Sequence, residues 1–102
     1  MPKRADELIH QPLRLKIMAA LNGAPAGEAL EFTRLKKIVE ATDGNLGAHL
    51  ATLEQAGYVR ITKDFVGRKP RTRAAVTREG RRALADHVAY LRDLIDGIDT
   101  EP

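Results

Sequence analysis

The chain has 102 residues (11.2 kDa), with 43% hydrophobic and 30% charged residues. That is a globular composition, with room for one small core and not for a second domain. No apolar run reaches the roughly 18 residues of a membrane helix, and Met1 to Glu7 lacks the apolar stretch of a signal peptide, so export is not expected. Zero cysteines exclude disulfides, thiolate metal sites and cysteine nucleophiles and fit a reducing cytoplasm.

The net charge of +3 is unevenly spread. Residues 1–59 balance, residues 60–82 carry nine bases against two acids, and residues 83–102 carry one base against five acids. A block of +7 within 23 residues suggests a polyanionic partner, beside the plainer reading of a solvated basic surface.

In chain order, Leu8 to Leu21 reads as a helix with a bend or restart at Pro12, since an N1 proline gives up no helical hydrogen bond. Leu13, Ile17 and Leu21 form one face, while Leu15 and Met18 lie off it, which suggests burial by two neighbours, one of them a second subunit. Residues 22–27 read as a loop, and residues 29–32 as a short extended piece. Thr33 is the expected cap of a helix from Arg34 to about Glu40, with Leu35, Ile38 and Val39 inward. Thr42 caps a second helix, from Asp43 to about Ala56. Leu46, Leu50 and Leu53 are its buried stripe, Asn45, Ala48, His49 and Thr52 its polar face, and Gly57 its terminator. Tyr58 to Lys63 alternates as a strand, Asp64 to Pro70 reads as a loop, and Thr72 to Val76 returns as a second strand. Thr77 caps a last helix from Arg78 to about Ile98. On it Leu84, Val88, Leu91, Ile95 and Ile98 repeat at the a/d spacing of a helix packing along another helix.

Two short helices joined by a tight turn make a helix-turn-helix, and a basic hairpin after it makes a wing. The expected fold class is mainly α with a small β-hairpin (α+β), one winged helix-turn-helix domain over residues 1–102. Its recognition helix lies at about 43–56, its wing at about 58–76 and its terminal helix at about 78–98.

The run Thr42-Asp43-Gly44-Asn45-Leu46, then His49-Leu50, Leu53-Glu54 and Ala56-Gly57-Tyr58-Val59 resembles the recognition region of small winged-helix transcriptional regulators. So does Gly67-Arg68-Lys69-Pro70-Arg71-Thr72 followed by Val76-Thr77 and Glu79-Gly80. The stretch from about Pro12 to Leu94 is similar to the stand-alone winged-helix group near the MarR and ArsR regulators. The resemblance implies a homodimer on double-stranded DNA, with recognition helices in successive major grooves and wings at the flanking minor groove. It also implies subunits joined through the terminal helices with the first helix.

The residues support that role independently, because a helix fits the major groove and offers polar side chains to base edges. The candidate base contacts are Thr42, Asp43, Asn45, His49 and Thr52. No Lys or Arg lies on this face, so shape readout is expected to weigh more than usual. Arg68 is the first choice for minor-groove insertion. Lys69, Arg71 and Arg73 are assigned to phosphates, and Lys36 and Lys37 to phosphates or a solvated face. Phe65 is expected to pack under the wing, and Arg78, Arg81 and Arg82 to extend the footprint or balance the acidic tail. Gly44 and Gly47 weaken the helix that carries them. They are explained either by close approach of a phosphate or by tight packing on the preceding helix.

Enzyme readings find no residues. The three histidines, His10, His49 and His87, make no HExxH, and no Walker-type loop or nucleophile elbow occurs. Asp86-His87 lacks the further ligands of the terminal-helix metal site in some ArsR-type sensors. No cofactor, metal or membrane partner is expected. The surviving alternative is a winged helix used for protein–protein assembly, with little or no DNA binding.

Overall fold

A computed structural model describes residues 5–26 and 28–99, except the side chains of residues 98 and 99. The elements are α1 (Pro12–Asn22), β1 (Leu30–Glu31), α2 (Phe32–Val39), α3 (Asp43–Gln55), β2 (Val59–Val66), β3 (Lys69–Val76) and α4 (Arg78–Asp99). The strands form one antiparallel sheet in the order β1-β3-β2. Helices around a small sheet give the expected α+β winged-helix fold, with one strand more than the two of the hairpin: Leu30 and Glu31 pair with Ala74 and Arg73.

The core follows the helical spacing except on α1, where Met18, off the expected face, is fully buried and Leu13, on it, is half-buried. Ile17, Met18 and Leu21 of α1 meet Leu35 and Val39 of α2, Leu46, Leu50 and Leu53 of α3, Val59 and Ala74 of the sheet, and Leu84 of α4. Ile9, ahead of α1, is fully buried with them.

Several boundaries differ from the sequence expectation, each for a local reason. The first helix begins at Pro12, not Leu8. Residues 7–10 form a separate turn, since proline disfavours helical backbone in the residue before it. Gln11 caps the helix, its Oε1 accepting from the Arg14 amide at 2.8 Å. The next helix opens at Phe32 on an extended Glu31 and makes no side-chain cap bond, so Thr33 lies inside the helix instead of capping it. On that two-turn helix Leu35 and Val39 reach the core, whereas Ile38 is 50% exposed rather than inward. The hairpin is longer than the Gly and Pro residues suggest. Residues 64–66 and 69–70 are paired strand, and the loop is only Gly67-Arg68. Gly67 has φ +64 and Arg68 does not join it in the left-handed region, the pattern of a type II′ turn. Pro70 is tolerated because β1 covers β3 only at residues 73 and 74, leaving one side of β3 open near the turn. Phe65 does not pack under the wing: it sits opposite Pro70 and is 71% exposed, because the hairpin has left the core by that point.

The Thr42, Thr77 and Gly57 assignments hold. Thr42 Oγ1 accepts from the Asn45 amide at 3.1 Å, and Thr77 Oγ1 accepts from the Gly80 amide at 3.0 Å. Gly57, at φ +82, ends α3. On α4, Leu84 is buried, Val88 and Leu91 are half-buried, and Leu94 and Ile95 are exposed, so the a/d stripe is covered only at its start. The expectation for Ile98 falls outside the described residues. The molecule measures 62 × 25 × 22 Å. Among the described residues no helix is long and apolar enough to cross a membrane.

Candidate nucleic-acid interface

The helix-turn-helix is α2, the three residues Glu40-Ala41-Thr42, and α3. Glu40 takes the left-handed conformation, φ 55 and ψ 49, that lets the chain reverse in so few residues. The turn is bridged by Lys36 Nζ and Asp43 Oδ1 at 2.8 Å, an exposed pair worth no more than about 1 kcal/mol. This pair occupies one expected phosphate ligand and one expected base reader with each other. Lys37 is exposed.

Leu46, Leu50 and Leu53 bury one side of α3, which turns the other side outward. There Thr42, Asp43, Asn45 and Ala48 are exposed, and His49 and Thr52 half-buried. The Thr52 hydroxyl donates back to the Ala48 carbonyl at 3.2 Å. A Cβ added at Gly44 or Gly47 would meet nothing within 4 Å among the described residues. Tight packing on the preceding helix is therefore not what these glycines serve, and the space beside them is open.

The wing is locked to the end of α3. Glu54 Oε2 accepts from the Ile61 amide at 3.3 Å, the Tyr58 amide donates to the Leu53 carbonyl, and the Thr77 hydroxyl donates to the Gly57 carbonyl at 2.6 Å. Within the wing, Arg71 donates through Nε and Nη2 to the two Asp64 oxygens at 2.9 and 2.7 Å, and Arg73 Nη2 donates to the same carboxylate at 3.1 Å. The Arg71 bonds hold the Asp64 carboxyl below its usual range, with the Arg73 charge assisting, against the opposing effect of desolvation. Arg71 and Arg73 thus already carry an anion partner, whereas Arg68 and Lys69 stand exposed at the turn. Arg81 is engaged elsewhere: its guanidinium ties α4 to the end of α1 through the Asn22 side chain and carbonyl and the Ala24 carbonyl.

One basic residue beside α3 escaped the sequence reading. Arg14 of α1 places Nη1 3.1 Å from His49 Nδ1, while its Nε donates to the Leu8 carbonyl at 2.6 Å. The signal was invisible because 35 residues separate the pair. The segment carrying Leu8 is itself pinned. Asp6 accepts from the Leu8 and Ile9 amides, its Oδ2 accepts the Tyr58 hydroxyl at 2.7 Å, and its amide donates to Nδ1 of the fully buried His87. The bond to Asp6 is the main reason the Tyr58 phenol is pushed up to about 12. His87 Nε2 is buried without a partner among the described residues, against an edge-on His10 ring and a stacked Tyr90.

Four similarities to known proteins bear on this arrangement. Residues 13–95 match the family model described as a winged helix DNA-binding domain. An uncharacterised protein of Methanocaldococcus jannaschii is 32% identical over 93 residues, which is 91% of this chain and 98% of that protein. A solved transcriptional regulator homologue from Pyrococcus horikoshii OT3 superposes with a TM-score of 0.82 at 31% identity, over 92% of this chain and 90% of the other. A PadR family transcriptional regulator from Eggerthella lenta superposes with a TM-score of 0.67 at 25% identity, over 91% and 87% of the two chains.

Proposed function

Since the chain belongs to the winged-helix DNA-binding family, a family of regulators and not of enzymes, we propose that it is a transcriptional regulator that reads duplex DNA as a homodimer. The observation that carries this reading is the outward face of α3. Its leucines are spent on the core, which leaves Asn45, Ala48, His49 and Thr52 facing away from it, and a helix presenting such a face fits the major groove. Asn45 is the principal base reader, since its amide can bond adenine bidentately. Thr42, Asp43 and Thr52 flank it. Arg68 enters the minor groove and Lys69 takes a phosphate, because both are exposed at the wing turn. Arg71 and Arg73 first shape the wing through Asp64 and add positive potential around it. Lys37 approaches the backbone from α2, and Lys36 does so only by giving up its pair with Asp43.

The dimer forms through the outer half of α4, from Leu91 onward. Leu94 is 51% and Ile95 58% exposed there, apolar surface that a lone chain leaves in water. Kinship to the MarR and ArsR regulators is the finer expectation, and one neighbour of the same build among the solved structures is a PadR family regulator.

The test is binding by the intact chain and by Asn45→Ala to a duplex selected from random sequence and to a scrambled one. Loss of a base contact costs about 1–3 kcal/mol on the selected duplex and little on the scrambled one. Equal losses on both would make Asn45 a positioning group. Failure of the intact chain to bind any duplex would leave the assembly reading.

A further inference from the structure

The polar face of α3 lacks Lys and Arg, yet a guanidinium reaches it from α1. Arg14 is fixed from its own side of the molecule: its amide is held by Gln11, its Nε by the Leu8 carbonyl, and the Leu8 amide by Asp6. Its Nη1 then meets His49 Nδ1 at 3.1 Å, and both side chains are half-buried. A guanidinium has only donors and keeps its charge in proteins. His49 Nδ1 is therefore the acceptor. A neutral imidazole has one donor and one acceptor, so the ring proton sits on Nε2.

We infer that Arg14 is a positioning residue for DNA recognition, holding His49 as the Nε2–H tautomer so that His49 offers the DNA a hydrogen-bond donor and selects an acceptor. This rests on the DNA-binding reading of α3. The acceptors within the chemistry of a duplex are purine N7, guanine O6 and thymine O4 in the major groove, or a phosphate oxygen. The amino groups of cytosine and adenine are refused. The same contact explains how a recognition face without a basic residue of its own keeps a positive charge beside it.

The experiment has two arms. In the first, long-range proton–nitrogen correlation spectra of the intact, labelled, DNA-free protein at pH 7.5 identify the protonated ring nitrogen of His49. The expected pattern is a protonated Nε2 and a bare Nδ1, and a protonated Nδ1 overturns the inference whatever the protein binds. In the second, Arg14→Ala, His49→Ala and the double variant are titrated against a selected duplex, with melting curves alongside. Each single change is expected to weaken binding about tenfold, the scale of one lost polar base contact. The double variant should be no weaker than His49→Ala, because Arg14 acts through His49. Additive losses overturn the positioning role and make Arg14 an independent contact. Arg14→Lys, which keeps a donor, should recover most of the affinity, and a loss equal to that of Arg14→Ala counts against the role. Duplexes carrying 7-deazapurines test purine N7 and methylphosphonates test the phosphates: the substitution that abolishes the effect of His49→Ala marks the atom met, and an effect that survives both assigns the contact to guanine O6 or thymine O4. If no duplex binds while the spectra show the Nε2–H tautomer, the DNA-binding reading has failed and the role with it, and the Arg14–His49 hydrogen bond stands alone.

Discussion

Two glycines in helices should respond in opposite directions to the same added methyl group. Gly47 lies in the interior of α3, where glycine costs about 1 kcal/mol relative to alanine through the greater freedom it loses on folding. Its added Cβ meets nothing within 4 Å among the described residues. Nothing among the described residues opposes the gain, so Gly47→Ala should stabilise by about 0.5–1 kcal/mol, and should raise the melting temperature by about 4–8 °C per kcal/mol for a chain of this size. Gly80 lies in the first turns of α4, and its Cβ would run into the Tyr58 carbonyl and stand 2.9 Å from Val76 Cγ2. The carbonyl cannot yield freely, because it accepts the Thr77 amide at 2.9 Å where the wing returns to the core. Gly80→Ala should therefore destabilise by about 1–3 kcal/mol, the usual range for overpacking, and the propensity gain would offset only part of that. The assay is denaturant unfolding of both variants at one fixed protein concentration, since dimerisation would otherwise shift the midpoints. A destabilised Gly47→Ala would refute the argument, because it would mean that a packing demand absent from the folded chain holds that position. The open space at Gly47 has a second consequence: if DNA approaches α3 closely there, the stabilised variant should bind more weakly.

The other predictions concern charge, assembly and pH. Lys69→Ala should lower the slope of log affinity against log salt by about 0.9, the linkage for one phosphate contact, and an unchanged slope in the Arg68→Ala, Lys69→Ala double variant would remove the wing turn from the interface. Asp64→Asn should loosen the hairpin by taking the charged acceptor from Arg71 and Arg73, seen as faster amide exchange across β2 and β3. Ile95→Asp should leave the fold intact and give a monomer in sedimentation at tens of micromolar, and a dimer that survives would move the subunit contact elsewhere. Burial holds the His87 imidazole below its ordinary 6.5, the nearby His10 adds to that shift, and Asp6 opposes it. The folded state thus resists a proton that the unfolded chain accepts, so this stability is fully present above pH 6.5 and is lost as pH falls through the depressed folded value. Unfolding midpoints between pH 7.5 and 5 should fall less steeply in His87→Gln, which keeps an acceptor for the Asp6 amide, and an identical pH dependence would absolve His87.

The periodicity of the leucines was sufficient to place the helix-turn-helix. Leu46, Leu50 and Leu53 leave only one way for α3 to face the core, and that also decides which side Asn45 and His49 face. Thr42 and Thr77 were legible for the same local reason, since a cap bond spans three residues. Whatever depended on residues far apart in the chain was not legible. The wing runs as strand through Asp64 and Pro70 because ladder bonds with a facing strand outweigh the turn preference of single residues. Ile38 and Phe65, apolar as they are, lie outside because α2 has only two turns and the hairpin extends past the core. Arg71 and Arg73 read as free cations until the hairpin register brings Asp64 opposite Arg71 and within diagonal reach of Arg73. The N-terminal turn that binds His87 and Tyr58 closes contacts across 81 and 52 residues, and Arg14 reaches His49 across 35. Sequence periodicity reports which face of an element is apolar. Which polar groups meet across elements follows only from how the packed faces bring those elements together.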